Sequence, residues 1–375
     1  MSNAFRELLK KVGSGVHTGK DLNREEAAAA TRMMLLQEAT PAQIGAFMIA
    51  HRIKRPTSEE LAGMLDAYDE LGPKLQPWGI GNRELGIGNG NRELTPSPPH
   101  PPVMVFGTPY DGRSRTAPVT VLTALILAAA GVSVVMHGGE RMPTKYGIPL
   151  IEIWQGLGVD FSKLTLAQVQ HLIETTGLGF IYLPVHFPLA HQLVAYRDEI
   201  GKRPPFATME LIWSPYAGES HIVAGYVHPP TETRFRDTFE LRGVTQFTLV
   251  KGLEGSCDLP RDRTAIVAVS QPGSEENFER LLLHPRDYGF AGMEVPFDST
   301  TELLTQMQEV LNGNSSELMQ AAIWNGGFYL WRCGACPDLL TGIDKAKTLS
   351  VDGCAAQKLE DCKKAIGSMQ LAHQV

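Results

Sequence analysis

VMVFGTPYDGRSRTAPVTVLTALILAAAGVSVVMHGGERMPTKYG, residues 103–147, decides the architecture. Residues 103–108 form a short apolar run of strand length, residues 118–130 an apolar helix stopped by Gly131, and residues 132–137 a second apolar run. A strand, a helix and a strand within 35 residues is a crossover unit, so the two strands are expected to be parallel. The first run ends in Gly107-Thr-Pro-Tyr-Asp-Gly112, followed by Arg113 and Arg115. The second ends in His137-Gly138-Gly139-Glu-Arg141, followed by Thr144-Lys145-Tyr-Gly147. Ligands of open parallel sheets sit at the carboxyl ends of strands, glycine lets the backbone approach them, and free N–H groups at a helix start favour anions. Two such ends side by side predict a cradle for a phosphorylated sugar. The same residues also describe turns with exposed charges, and Thr120 and Thr144 also suit helix caps.

Downstream the alternation continues. Helices are expected over 149–157, from Thr165, over 189–200, over 301–311 and from Ser316 onward. Strands are expected over 180–184, 222–227, 246–250 and 265–269. This is an α/β pattern with a mostly parallel central sheet covered by helices. Upstream, residues 1–75 read as four helices. Phe5, Leu8, Leu9 and Val12 share one helical face. Asn23 with Glu26, Thr40-Pro41-Ala42-Gln43 and Thr57-Ser58-Glu59-Glu60 are helix-start signatures, and Gly72-Pro73 is a stop. The expected organisation is a helical domain over 1–75, a Pro/Gly-rich linker over 76–102 and an α/β domain over 103–375, whose last helices have the option of packing back on the first domain. Within the linker, Gly79-Ile-Gly-Asn-Arg-Glu-Leu85 is nearly repeated over 86–94. With no strand before it and no clear helix after it, this reads as a duplicated loop in preference to a phosphate loop.

The 375 residues are 43% hydrophobic and 20% charged, enough for a substantial core. The net charge of −7 shows no basic nucleic-acid footprint in bulk, which leaves room only for a local patch. The N-terminus lacks a signal-peptide apolar run, and the longest apolar stretch, 119–135, is broken by Thr120, Thr123, Gly131 and Ser133. A cytoplasmic location and no membrane association are expected. Five cysteines argue against a disulfide framework, and Cys333-Gly-Ala-Cys336, following an apolar helix-like run, is expected to supply structural thiols at a helix end.

Leu36-Gln-Glu-Ala-Thr-Pro-Ala-Gln-Ile-Gly-Ala-Phe47, Arg52-Ile-Lys54 and Ser58-Glu-Glu-Leu-Ala-Gly63 closely resemble the helical domain of anthranilate phosphoribosyltransferases, members of the nucleoside phosphorylase–phosphoribosyltransferase superfamily. Residues 103–147 resemble their phosphoribosyl pyrophosphate site in layout, and Tyr196-Arg-Asp-Glu-Ile-Gly201 resembles the helix end bearing an anthranilate-contacting arginine. Lys251-Gly-Leu-Glu-Gly255 occupies the place of the acidic metal loop, and Asn325 to Cys362 resemble the closing helices. The resemblance implies a donor-phosphate set of Gly107, Thr108, Asp111, Gly112, Thr120, His137, Gly138, Thr144 and Lys145, with Arg197 on the acceptor. It also implies Mg²⁺ on Glu254 and Asp258 if the chain is catalytic, and a homodimer built by residues 1–70.

Departures from the family pattern alter the expected activity. Pro109 and Tyr110 stand for two glycines of a Gly-Thr-Gly-Gly-Asp-Gly loop, and Ala117 and Val119 for two polar residues of Asn-x-Ser-Thr. A Lys-His-Gly-Asn-Arg-Ser motif reads Met136-His137-Gly138-Gly139-Glu140-Arg141, an Asp-Glu pair reads Cys257-Asp258, and Phe187 replaces a histidine. The reading is a glycosyl- or phosphoribosyltransferase with a degenerate donor site and an altered acceptor. The alternative is a non-catalytic nucleic-acid-binding protein, similar to a divergent paralogous branch of the family, contacting phosphates through Arg113, Arg115, Arg141, Lys145 and Lys251. Ordinary anthranilate phosphoribosyltransferase activity is the least expected of the three.

Overall fold

The computed structural model describes residues 3–15, 17–78, 102–271, 273 and 277–372. The duplicated glycine segment therefore lies outside the described residues. The chain opens with four helices: α1 (Asn3–Gly13), α2 (Arg24–Leu35), α3 (Pro41–Lys54) and α4 (Ser58–Leu71). All three expected capping boxes form, on Asn23, Thr40 and Thr57. Each is worth about 1 kcal/mol and fixes where its helix starts. Glu60 does more than cap: its buried carboxylate accepts from the Leu22 and Thr57 N–H groups and from Lys54 Nζ, each at 2.8 Å. It thereby ties the turn before α2 to α3 and α4. The close approach of α2 and α4 requires Gly63, where a Cβ would lie 2.1 Å from the Arg24 carbonyl oxygen.

The second unit is built on a seven-stranded sheet. Its strands are β1 (Val103–Gly107), β2 (Val134–Gly138), β3 (Leu178–Tyr182), β4 (Ser220–Gly225), β5 (Phe247–Val250), β6 (Ala265–Ser270) and β7 (Phe278–Leu283). The order is β3-β2-β1-β4-β5-β6-β7, parallel through β5 and antiparallel for the last two. The central strands are buried along their length and read as unbroken apolar runs, as expected of a sheet covered on both faces. Helix α5 (Thr120–Ala129) is apolar on every side because the helices Glu317–Arg332 and Cys354–Ala372 enclose it. The Cys333 and Cys336 thiols are buried at the end of the first of these, where structural thiols were expected.

Apart from short helical turns, the structure differs from these expectations in one strand and two helices. Strand β7 was not anticipated, and neither was the helix Pro229–Leu241 between β4 and β5. The helix expected over 189–200 is broken into Pro188–His191 and Val194–Glu199. The two units are held together by Arg242, which pairs with Asp66 and Asp69 of α4, and by the Tyr68 ring packed edge-on to Phe187 and Trp213.

Candidate functional site

β2 and β4 flank β1, and the chain reverses its direction of travel across the sheet there. The carboxyl ends of β1 and β4 therefore border the crevice where open α/β sheets bind ligands. Its floor is backbone against backbone. A Cβ on Gly107 would lie 1.8 Å from the Leu211 carbonyl oxygen, and one on Gly225 2.1 Å from that of Ser256. The two strand-end loops singled out in the sequence are joined here. The Gly147 N–H donates to the Asp111 carbonyl at 2.9 Å and that of Ile148 to Arg113 at 2.8 Å. Gly112 sits at φ +73 in this seam, with room for no side chain.

The N-terminus of α5, expected to receive a donor phosphate, instead receives a carboxylate of the chain itself. Asp258 is buried and accepts from the Val119 N–H and the Thr120 hydroxyl, both at 2.9 Å. The Arg113 guanidinium, also buried, donates to the same carboxylate and to the Thr116 hydroxyl. Beside it Glu254 accepts from the N–H groups of Ser114 at 3.2 Å and of Arg115 and Thr116 at 3.0 Å. Burial opposes the Glu254 charge, but these three donors outweigh it and hold the carboxyl below its usual pKa. Neither acid is an open metal ligand: each carboxylate already has donors on both oxygens, and Arg113 supplies the counter-charge. Cys257 donates its thiol to the Gly107 and Val223 carbonyls at 3.2 and 3.4 Å, and burial raises its pKa well above the ordinary thiol value. A hard dication prefers oxygen ligands. Among the described residues no group of three or more His, Cys, Asp and Glu is placed to hold a metal. The residues present do not fit a resident Mg²⁺.

A cleft of about 190 Å³ opens between the units, lined by Arg52 of α3 and by Arg203, Thr208, Gly225, His228 and Gly255. Arg52 Nη1 donates to the Arg203 carbonyl at 3.0 Å, so both units contribute to it. Beside this cleft, the buried Asp111 carboxylate lies 3.5 Å from Arg203 Nη2 and 4.0 Å from Lys145 Nζ, yet neither of its oxygens accepts a hydrogen bond. Burial lowers the Lys145 pKa against the pull of Asp111. Of the remaining donor candidates, Thr108 is buried, Thr144 is exposed, and Gly138 has ordinary space around its Cα. His137 is fully buried, with Nδ1 2.5 Å from the Tyr110 hydroxyl, and burial brings its pKa down to about 3.

Arg197 is neither on an open acceptor surface nor an exposed helix-end charge. It is buried in an ion pair with Glu210 and donates to Met142 Sδ at 3.3 Å. Above this pair Tyr110, His137, Trp213, Phe187 and Tyr68 form one aromatic cluster with ring centroids 5.0–5.7 Å apart. Tyr110, in the place of a loop glycine, thus fills space instead of leaving it.

The five cations proposed for nucleic acid differ in exposure and pairing. Arg113 is buried, Arg141 is held by Glu152 at 2.7 and 2.8 Å, Lys145 and Lys251 are half-buried, and Arg115 is exposed. Arg203 and Glu210 were missed in the sequence. Arg203 follows the Arg197 motif closely, in Gly201-Lys-Arg203, and was within reach of that reading. Glu210 carries no local signal.

Residues 6–72 match the helical bundle domain of a glycosyl transferase family and residues 103–356 its a/b domain. The anthranilate phosphoribosyltransferase of Azorhizobium caulinodans is 28% identical over 374 residues, covering 99% of this chain and 98% of that protein. That of Afipia carboxidovorans is 28% identical over 358 residues, covering 95% and 96%. Among solved structures, the anthranilate phosphoribosyltransferase of Thermus thermophilus aligns with a TM-score of 0.76 at 21% identity, covering 97% of this chain and 99% of that one. The Saccharomyces cerevisiae enzyme in complex with PRPP and Mg aligns with a TM-score of 0.80 at 16% identity, covering 98% and 99%. The protein has the two-domain architecture of a glycosyl transferase, with a helical bundle ahead of an α/β domain. The chain belongs to that glycosyl transferase family.

Proposed function

We propose that this protein is a pentosyl transferase of its family that binds a phosphoribosyl pyrophosphate-like donor in the cleft between the units and passes the sugar to an acceptor other than anthranilate. The cationic cleft carries the reading: Arg52, Arg203 and Lys145 converge at the carboxyl ends of β1 and β4, around a glycine-lined floor. Pentosyl transfer proceeds through an oxocarbenium-like centre and needs positioning and charge stabilisation more than covalent chemistry. Lys145 and Arg203 are suited to take up negative charge developing on a leaving diphosphate, and the Asp111 carboxylate between them offsets their mutual repulsion. The altered acceptor follows from Arg197, whose guanidinium is committed to Glu210 and is not offered to a substrate carboxylate. A homodimer through residues 1–70 is part of this reading on the family resemblance alone.

Calorimetric titration with phosphoribosyl pyrophosphate, with and without Mg²⁺, tests the reading. Saturable binding that Lys145→Ala or Arg203→Ala weakens by about tenfold or more is expected. No binding at millimolar donor would refute it. The next titrant would then be single-stranded nucleic acid at several salt concentrations, where a steep loss of affinity with salt marks phosphate contacts.

A further inference from the structure

We infer that Arg113 is the resident cation of this site, taking the place of a divalent metal between Glu254 and Asp258, so that the protein binds anionic ligands without one. The ligand half of the inference rests on the proposed donor cleft; the cation half does not. The guanidinium spans both acids. It donates to Asp258 directly, and to the Thr116 hydroxyl, which in turn donates to Glu254 Oε1 at 3.0 Å. Its Nε lies 3.8 Å from the same Glu254 oxygen. Arg113, Glu254 and Asp258 side chains are all nearly solvent-free, so a metal would have to strip Arg113 from its partners and leave it buried and unpaired. A metal would also compete for oxygens already accepting from the Val119, Ser114, Arg115 and Thr116 N–H groups. The neighbouring Cys257 thiol points into the sheet, toward the Gly107 and Val223 carbonyls.

The local charge balance agrees. The three carboxylates of Asp111, Glu254 and Asp258 face the four cations Arg113, Arg115, Lys145 and Arg203. A guanidinium stays charged at any working pH and no chelator removes it. Two carboxylates facing each other across the space vacated by Arg113 would, conversely, offer a metal the hard oxygen ligands that the wild-type chain withholds.

The test is Mn²⁺ binding followed by electron paramagnetic resonance on the full chain. The wild type is expected to leave the free-ion signal undiminished into the low millimolar range. Arg113→Ala is expected to bind Mn²⁺ saturably with an affinity gain of about tenfold or more, and the Arg113→Ala/Asp258→Asn double variant to lose that gain. Wild-type binding abolished by Asp258→Asn would overturn the inference, as would a folded Arg113→Ala that gains nothing. If Arg113→Ala does not fold, calorimetry of the wild type with inorganic pyrophosphate decides. Equal affinity in EDTA and in Mg²⁺ is expected, and a loss of about tenfold in EDTA overturns the inference. Pyrophosphate that binds under neither condition refutes the donor cleft, and the wild-type Mn²⁺ titration then still decides the cation.

Discussion

Removing the Arg197 guanidinium should cost stability, and the cost should depend on pH in a way that only a buried, paired arginine explains. Arg197 and Glu210 are each nearly solvent-free and paired with one another. Burial pushes the Glu210 pKa above the ordinary carboxylate value even with Arg197 present, because desolvation outweighs the attraction. In Arg197→Met the orphaned Glu210 must either stay ionised without a partner or take up a proton. Breaking one side of a buried pair costs about 3–5 kcal/mol. For a chain of this size that is a fall of about 4–6 °C in the midpoint of thermal unfolding near pH 8. The raised carboxyl pKa sets the sign: the folded state holds its proton more tightly than the unfolded chain, so lowering the pH relieves the penalty. The deficit should shrink by up to about 1.4 kcal/mol for each pH unit below the orphan's folded pKa, until the unfolded carboxyl also protonates. Arg197→Met/Glu210→Met, which removes both charges, should recover most of the midpoint and lose the pH dependence. Scanning calorimetry of wild type, single and double variants from pH 5 to pH 8 measures all three. A single variant within about 2 °C of wild type at every pH would refute the buried pair and return Arg197 to the open acceptor site that the family resemblance implies.

Two further predictions concern pH and stability. His137 and His221 are fully buried, with pKa values brought down to about 3 by desolvation. The unfolded chain binds protons that the folded one refuses, so stability should fall below pH 6.5 by up to about 1.4 kcal/mol per pH unit for each histidine, and His221→Gln should flatten that slope in urea titrations across pH 4–7. Glu60 is pulled down to about 2 despite its burial, by His51, Lys54 and the Leu22 N–H. Its contribution is therefore fully present above pH 4.5 and lost as the pH falls through 2; Glu60→Gln should cost about 3 kcal/mol at pH 7, read from the shift in urea midpoint, and progressively less in acid.

How far the sequence carries depends on whether a feature is local. The first six strands were legible because most are buried on both faces and read as apolar runs. Strand β7 was missed because its sequence, FERLLL, puts charged Glu279 and Arg280 on an edge strand that is buried mainly at Leu283. The helix Pro229–Leu241 was missed because it buries only Glu232, Phe235, Thr238 and Phe239, although its two prolines mark a helix start. The capping boxes succeeded because both partners lie three residues apart. The pairings inside the site failed for the opposite reason: Arg113 and Asp258 are 145 residues apart, and nothing at either position announces the other. Gly107, Gly112 and Gly147 were read as places where backbone approaches a ligand; in the structure the close neighbour at each is the chain's own backbone, 104, 35 and 34 residues away, which no local pattern announces.

Three features of the site share one physical consequence. Tyr110 adds a ring to the cluster with His137 and Trp213, Arg113 satisfies Asp258 at the start of α5, and Glu210 satisfies Arg197. In each case a group that the resemblance assigns to a ligand is satisfied by the chain itself, which removes a buried polar or empty space that only a ligand would otherwise fill. Such internal substitution stabilises the unliganded protein and narrows what it can bind. The Arg52–Arg203 cleft stands outside this pattern. Its cations are exposed or half-buried, and Asp111 beside it is buried with no hydrogen bond to either oxygen. Buried carboxylates without hydrogen bonds are costly unless a ligand or its water completes them. Asp111, with both carboxylate oxygens buried and without a hydrogen bond, stands on the border between the helical bundle and the carboxyl ends of β1 and β4, and that is where binding should be sought.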